Sequence, residues 1–60
     1  MLYLTMDARD GEYIAIVRRV PTSDGVRTRI GSASDTDAAL AMERAVRDLI
    51  QREAKDAQNG

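Results

Sequence analysis

The hydrophobic pattern of this chain changes period once. Up to Gly31 apolar side chains recur at every second residue, and after it at every third or fourth. That one switch restricts the chain to strands first and a helix last. Leu2, Leu4 and Met6 alternate with Tyr3 and Thr5, so the two sets occupy opposite faces of a strand. Asp7 to Gly11 form a turn ending on Asp10-Gly11, a strong hairpin signal. Tyr13 to Val20 are rich in β-formers, with Ile14, Ile16, Arg18 and Val20 on one face. Tyr13, Ala15, Val17 and Arg19 take the other. Pro21 to Gly25 form a second turn. Val26, Thr28 and Ile30 are expected to face inward, and Arg27 and Arg29 outward. Gly31-Ser32-Ala33 reads as a connector.

The helix start has two registers: Ser34 followed three residues on by Asp37, or Asp35 as N-cap. At the helical period Ala38, Met42, Ala45, Val46 and Leu49 form a stripe flanked by Ala39 and Ile50. Glu43–Arg47, Arg44–Asp48, Asp48–Arg52 and Arg52–Asp56 are i,i+4 opposite-charge pairs on the other face. The pattern predicts an α+β fold: a three-stranded antiparallel β-meander, then one C-terminal helix packed on one sheet face. Strands are expected near 2–6, 13–20 and 26–30 and the helix near 35–55. Residues 1–60 form one domain, with 56–60 as a frayed tail. Roughly a dozen inward apolar side chains should hold it together.

Composition narrows the function. The chain has neither cysteine nor histidine, which removes thiolate sites and the commonest metal ligand and general base. No metal or other cofactor is expected, and no Ser, Lys or Tyr has a base beside it. A carboxylate pair on a single-layer domain would lack a cleft to desolvate it. The chain therefore reads as a non-enzyme. Nine basic against ten acidic residues give a net charge of −1, which argues against bulk nucleic-acid binding. No apolar run approaches a membrane span, and residues 1–6 lack the form of a signal peptide, so a cytoplasmic location is expected.

Connectivity then places the charges. An up-down-up meander brings the first turn and the helix start to one end, gathering Asp7, Asp10, Glu12, Asp35 and Asp37 against Arg9. Turn chemistry and helix capping account for acids there. A functional reading makes the same cluster a mimic of nucleic-acid phosphates offered to a basic groove. As a calcium site it lacks regular loop spacing. Arg18, Arg19, Arg27 and Arg29 collect at the other end and on the outer face. Tyr3, Tyr13, Arg19, Arg27 and Arg29, with Thr5, Ala15 and Val17, are expected on that uncovered face as a secondary partner surface. Leu40 is a minor interface candidate on the polar side of the helix.

The stretch Gly31-Ser32-Ala33-Ser34-Asp35-Thr36-Asp37-Ala38-Ala39-Leu40-Ala41-Met42 resembles the strand-to-helix junction of small phage-encoded inhibitors of type I CRISPR–Cas systems, type I-C in particular. It covers about a fifth of the chain. The resemblance implies a phage-encoded protein acting in a bacterial host cell. Such a protein would bind a CRISPR–Cas effector subunit and block target-DNA binding or nuclease recruitment. Combined with the acidic pole, it leads to a DNA-mimicking inhibitor that does not itself bind nucleic acid. That inhibitor would be a monomer, or a weak dimer through the outer sheet face. The alternative is a sheet-reading DNA-binding module, like the arm-binding domain of phage integrases, which shares the β-β-β-α order.

Overall fold

The computed structural model describes residues 1–22 and 27–59. It contains β1 (Leu2–Arg9), β2 (Glu12–Arg19), β3 (Arg29–Asp35) and α1 (Ala38–Asn59). The strands form one antiparallel sheet in the order β1-β2-β3, with the helix packed on β3 and β2. The meander followed by a helix is as the periodicity predicts. No helix among the described residues is long and apolar enough to cross a membrane.

The first hairpin is set by its turn. Asp10 and Gly11 have φ of 54° and 80°, the positive pair that a two-residue type I′ turn requires. Its twist matches that of the strands, so pairing runs unbroken from Arg9↔Glu12 to Leu2↔Arg19. Met1 and Val20 extend it by exchanging both backbone hydrogen bonds, each 2.8 Å. β1 is therefore longer than its alternation suggested.

The third strand lies later than predicted. Arg27 and Thr28 precede it, and it runs through Gly31-Ser32-Ala33, the expected connector, to Asp35. The predicted Asp24-Gly25 turn and Val26 lie outside the described residues. Glycine usually marks a break in a strand, but Gly31 admits the helix. A Cβ built there would stand 2.5 Å from both the Ala45 carbonyl oxygen and the Leu49 nitrogen.

The faces of β2 are the reverse of the sequence expectation. Ala15 and Val17 are buried beneath the helix, whereas Ile16 is exposed on the outer face. Size explains the choice. Across the helix side, the rows read Leu4–Val17–Gly31 and Met6–Ala15–Ala33. Side chains shrink from β1 to β3, so the helix settles over the low side and leaves β1 uncovered. Every residue of β1 is exposed. The packed core is small: Ala15, Val17, Ala41, Ala45 and Leu49, with Ala33 and Val46 beside them. Among the described residues only five side chains are fully buried, well short of the expected dozen. Ala41 joins the helix stripe, while Met42 and Ile50 turn out to be exposed.

The helix takes neither predicted capping register. Asp37 is the N-cap: its Oδ1 accepts the N–H groups of Ala39 at 2.9 Å and Leu40 at 3.1 Å. Asp35 in turn accepts the Asp37 N–H at 2.9 Å. At the other end the helix continues to Asn59 instead of fading near Lys55.

Candidate functional site

The outer sheet face combines alternate residues of the three strands. Its rows are Tyr3–Arg18–Ile30, Thr5–Ile16–Ser32 and Asp7–Ile14–Ser34. Ile14 and Ile16 occupy the middle, and Thr5, Ser32 and Ser34 give a small polar border. At one end the Arg18 guanidinium lies over the Tyr3 ring, 5.8 Å from its centroid. Ile16 is 37% and Ile30 50% exposed, so no layer among the described residues covers the face.

Of the residues expected there, only Tyr3 and Thr5 belong to it. Tyr13, Ala15, Val17, Arg19 and Arg29 share the helix side, because β2 is inverted and β3 is shifted along the chain. Arg19 Nε donates to Glu53 Oε2 at 2.6 Å, and Arg29 pairs with Asp56 at 3.8 Å. Arg27 is exposed ahead of β3. Sequence reasoning missed Ile14, Ile16 and Ile30 as surface residues; their alternation gives two faces but does not say which one the helix takes.

The acidic residues do collect at the turn and helix-start end. Asp7 pairs with Ile14 across the hairpin, Glu12 closes the turn, and Asp35 pairs with Tyr13. Their carboxylates differ in what they already hold. Asp35 Oδ2 accepts from Arg44 at 2.7 Å, and Asp37 is spent on the cap. Asp7 accepts its neighbour Ala8 N–H at 2.9 Å. Among the described residues, Asp7, Asp10 and Glu12 form no ion pair.

Arg44 thus reaches Asp35 in place of Asp48, and Asp56 takes Arg29 in place of Arg52. The predicted Glu43–Arg47 and Asp48–Arg52 pairs form, at 3.3 and 3.1 Å. Asp48 has a second role. The Ser32 N–H, on the outer edge of β3, donates to its Oδ2 at 3.0 Å. That hydrogen bond, aided by Arg52, holds the Asp48 carboxyl below the usual aspartate range, against the opposing effect of partial burial. Nearby, Arg27, Arg29, Arg52 and Lys55 line an open cleft of about 920 Å³ together with Asp48 and Asp56. No protein-family model, curated protein or solved structure matches this chain.

Proposed function

We propose that this chain is a non-enzymatic protein that acts by docking on a protein partner through the outer face of its sheet. The exposed Ile16 and Ile30, with the half-buried Ile14 on the same face, beside the Tyr3–Arg18 pair carry this reading. An apolar, charge-depleted centre with Tyr and Arg at its margin is the anatomy of a protein interface. Nucleic-acid readers instead place cations on the contacting surface; here Arg9 and Arg18 are balanced by Asp7 and Glu12. The resemblance at residues 31–42 makes a CRISPR–Cas effector subunit the partner to test first.

A second surface follows from the unpaired carboxylates of Asp7, Asp10 and Glu12. In this reading they mimic phosphates on a basic groove of the effector, with Asp35 and Asp37 adding charge while holding the helix start. Binding would then weaken steeply with salt.

The test is binding of the parent and folded variants to a purified type I effector complex. Ile16→Arg is expected to abolish binding, with circular dichroism unchanged. Loss in Asp10→Lys/Glu12→Lys alone would transfer the function to the acidic end. Effector-independent binding to duplex DNA, lost in Arg27→Glu/Arg29→Glu, would replace both readings with the DNA-binding module.

A further inference from the structure

We infer that β1 is a self-pairing edge: two copies of this chain join β1 to β1, antiparallel, about a two-fold axis at Thr5.

The backbone gives the first argument. Because Met1 and Val20 exchange both hydrogen bonds, the odd-numbered residues of β1 bond to β2. The N–H and C=O groups of Leu2, Leu4 and Met6 and the Ala8 C=O therefore point away from the sheet, while the Ala8 N–H is taken by Asp7 Oδ1 at 2.9 Å. Such an edge is a template for another strand. The opposite edge is closed at its centre, where the outward Ser32 N–H is taken by Asp48. With the β3 edge interrupted at its centre, pairing of β1 with its own copy yields a closed pair, not a filament.

The side chains of the same residues give the second. Leu2, Leu4 and Met6 lie on the helix side but beyond the helix, exposed by 52%, 46% and 38%. With Thr5 opposite the partner's Thr5, Leu2 meets the partner's Ala8 and Leu4 meets the partner's Met6. Every position in that row is apolar, and the largest mismatch in size sets Leu against Ala. On the other face Tyr3 meets the partner's Asp7. From residue 2 to residue 8 no like charges stand opposite one another, so that stretch is complementary to itself.

The third argument is surface. The chain exposes 4632 Å². A folded monomer of 6.6 kDa is expected to expose roughly 3,900 Å². The chain therefore exposes more surface than a monomer of its mass is expected to. Small domains with thin cores often add a disulfide, a metal or a second copy. This one has no cysteine, and its described residues contain no group of three acids suited to a metal. Pairing at β1 would also set two outer faces side by side in one continuous sheet.

Sedimentation equilibrium across a concentration series tests the pair. The parent is expected to approach twice 6.6 kDa, and Leu4→Lys/Met6→Lys to remain at the monomer mass with its circular dichroism retained. A parent that stays monomeric throughout, or a folded double-lysine variant that still dimerises, overturns the inference. If the lysine variant unfolds, cysteine crosslinking decides. The axis places Thr5 within disulfide reach of its own copy, with Cα atoms about 4.5 Å apart. Arg9, on the same face of the same strand, would be about 27 Å from its copy. Under mild oxidation Thr5→Cys should become a linked dimer and Arg9→Cys should not. Equal crosslinking, or none in Thr5→Cys, overturns the two-fold at Thr5.

Discussion

Gly31 lies so close beneath Leu49 that a Cβ on the glycine would stand 2.5 Å from the Leu49 backbone nitrogen and 2.7 Å from its Cβ. This contact is backbone against backbone, so no side chain can swing away to relieve it. Gly31→Ala must lift α1 from β3 or tilt it. The expected loss is about 1–3 kcal/mol or more, as for other overpacked cores. Urea denaturation checks it; an unchanged midpoint would contradict the close approach.

Leu49 and Leu40 separate the two sides of the helix. Leu49 is 1% exposed and the largest side chain of the core, whereas Leu40 is 40% exposed. Leu49→Ala is expected to cost about 2–5 kcal/mol, enough to unfold a thinly cored domain. Leu40→Ala should cost under about 1 kcal/mol. The two denaturation midpoints, measured side by side, decide whether the helix face is assigned correctly.

Asp48 should make stability depend on acid. Its carboxyl is held below the ordinary aspartate value, first by the Ser32 N–H and then by Arg52. A depressed folded-state value means that the charged form is favoured in the folded chain. The stabilisation is therefore complete above the unfolded value, about 3.9, and is lost as pH falls through the lower folded value. Asp48→Asn should be less stable than the parent at neutral pH. The difference between the two should shrink in acid, which thermal melts across pH will show.

The hairpin turn offers a stability test away from the outer sheet face. Asp10 and Gly11 both have positive φ. Gly11→Ala should cost about 1–2 kcal/mol from backbone strain alone, since a Cβ there meets no atom within 4 Å. Asp10→Asn should be neutral or stabilising, because Asn-Gly suits the type I′ turn. A thermal melt of each variant measures both.

The candidate site was only partly legible in the sequence. The acidic end follows from connectivity alone, because a meander returns the helix start to the first turn. That Asp35 and Asp37 are committed to Arg44 and the helix N–H groups was not legible, since it depends on the helix starting at Ala38. Alternation divides β2 into two faces but does not say which of them the helix covers. Hydrophobicity favours burying Ile14 and Ile16 and leaving Tyr13, Ala15 and Val17 on the outer face, whereas the helix covers Ala15 and Val17.

Local chemistry determined the elements of this protein. Alternation makes the strands, Asp10-Gly11 makes the hairpin and its register, and the helical period after the junction makes α1. These depend on neighbours in the chain and can be read there. Only tertiary packing decided which sheet face the helix covers and where β3 lies. The helix needs the lowest surface it can reach, and Gly31, Ala33 and Ala15 supply it only when three strands stand side by side. Steric fit between backbones outweighed the greater hydrophobicity of Ile14 and Ile16, and it left those isoleucines, with the β1 edge, facing outward.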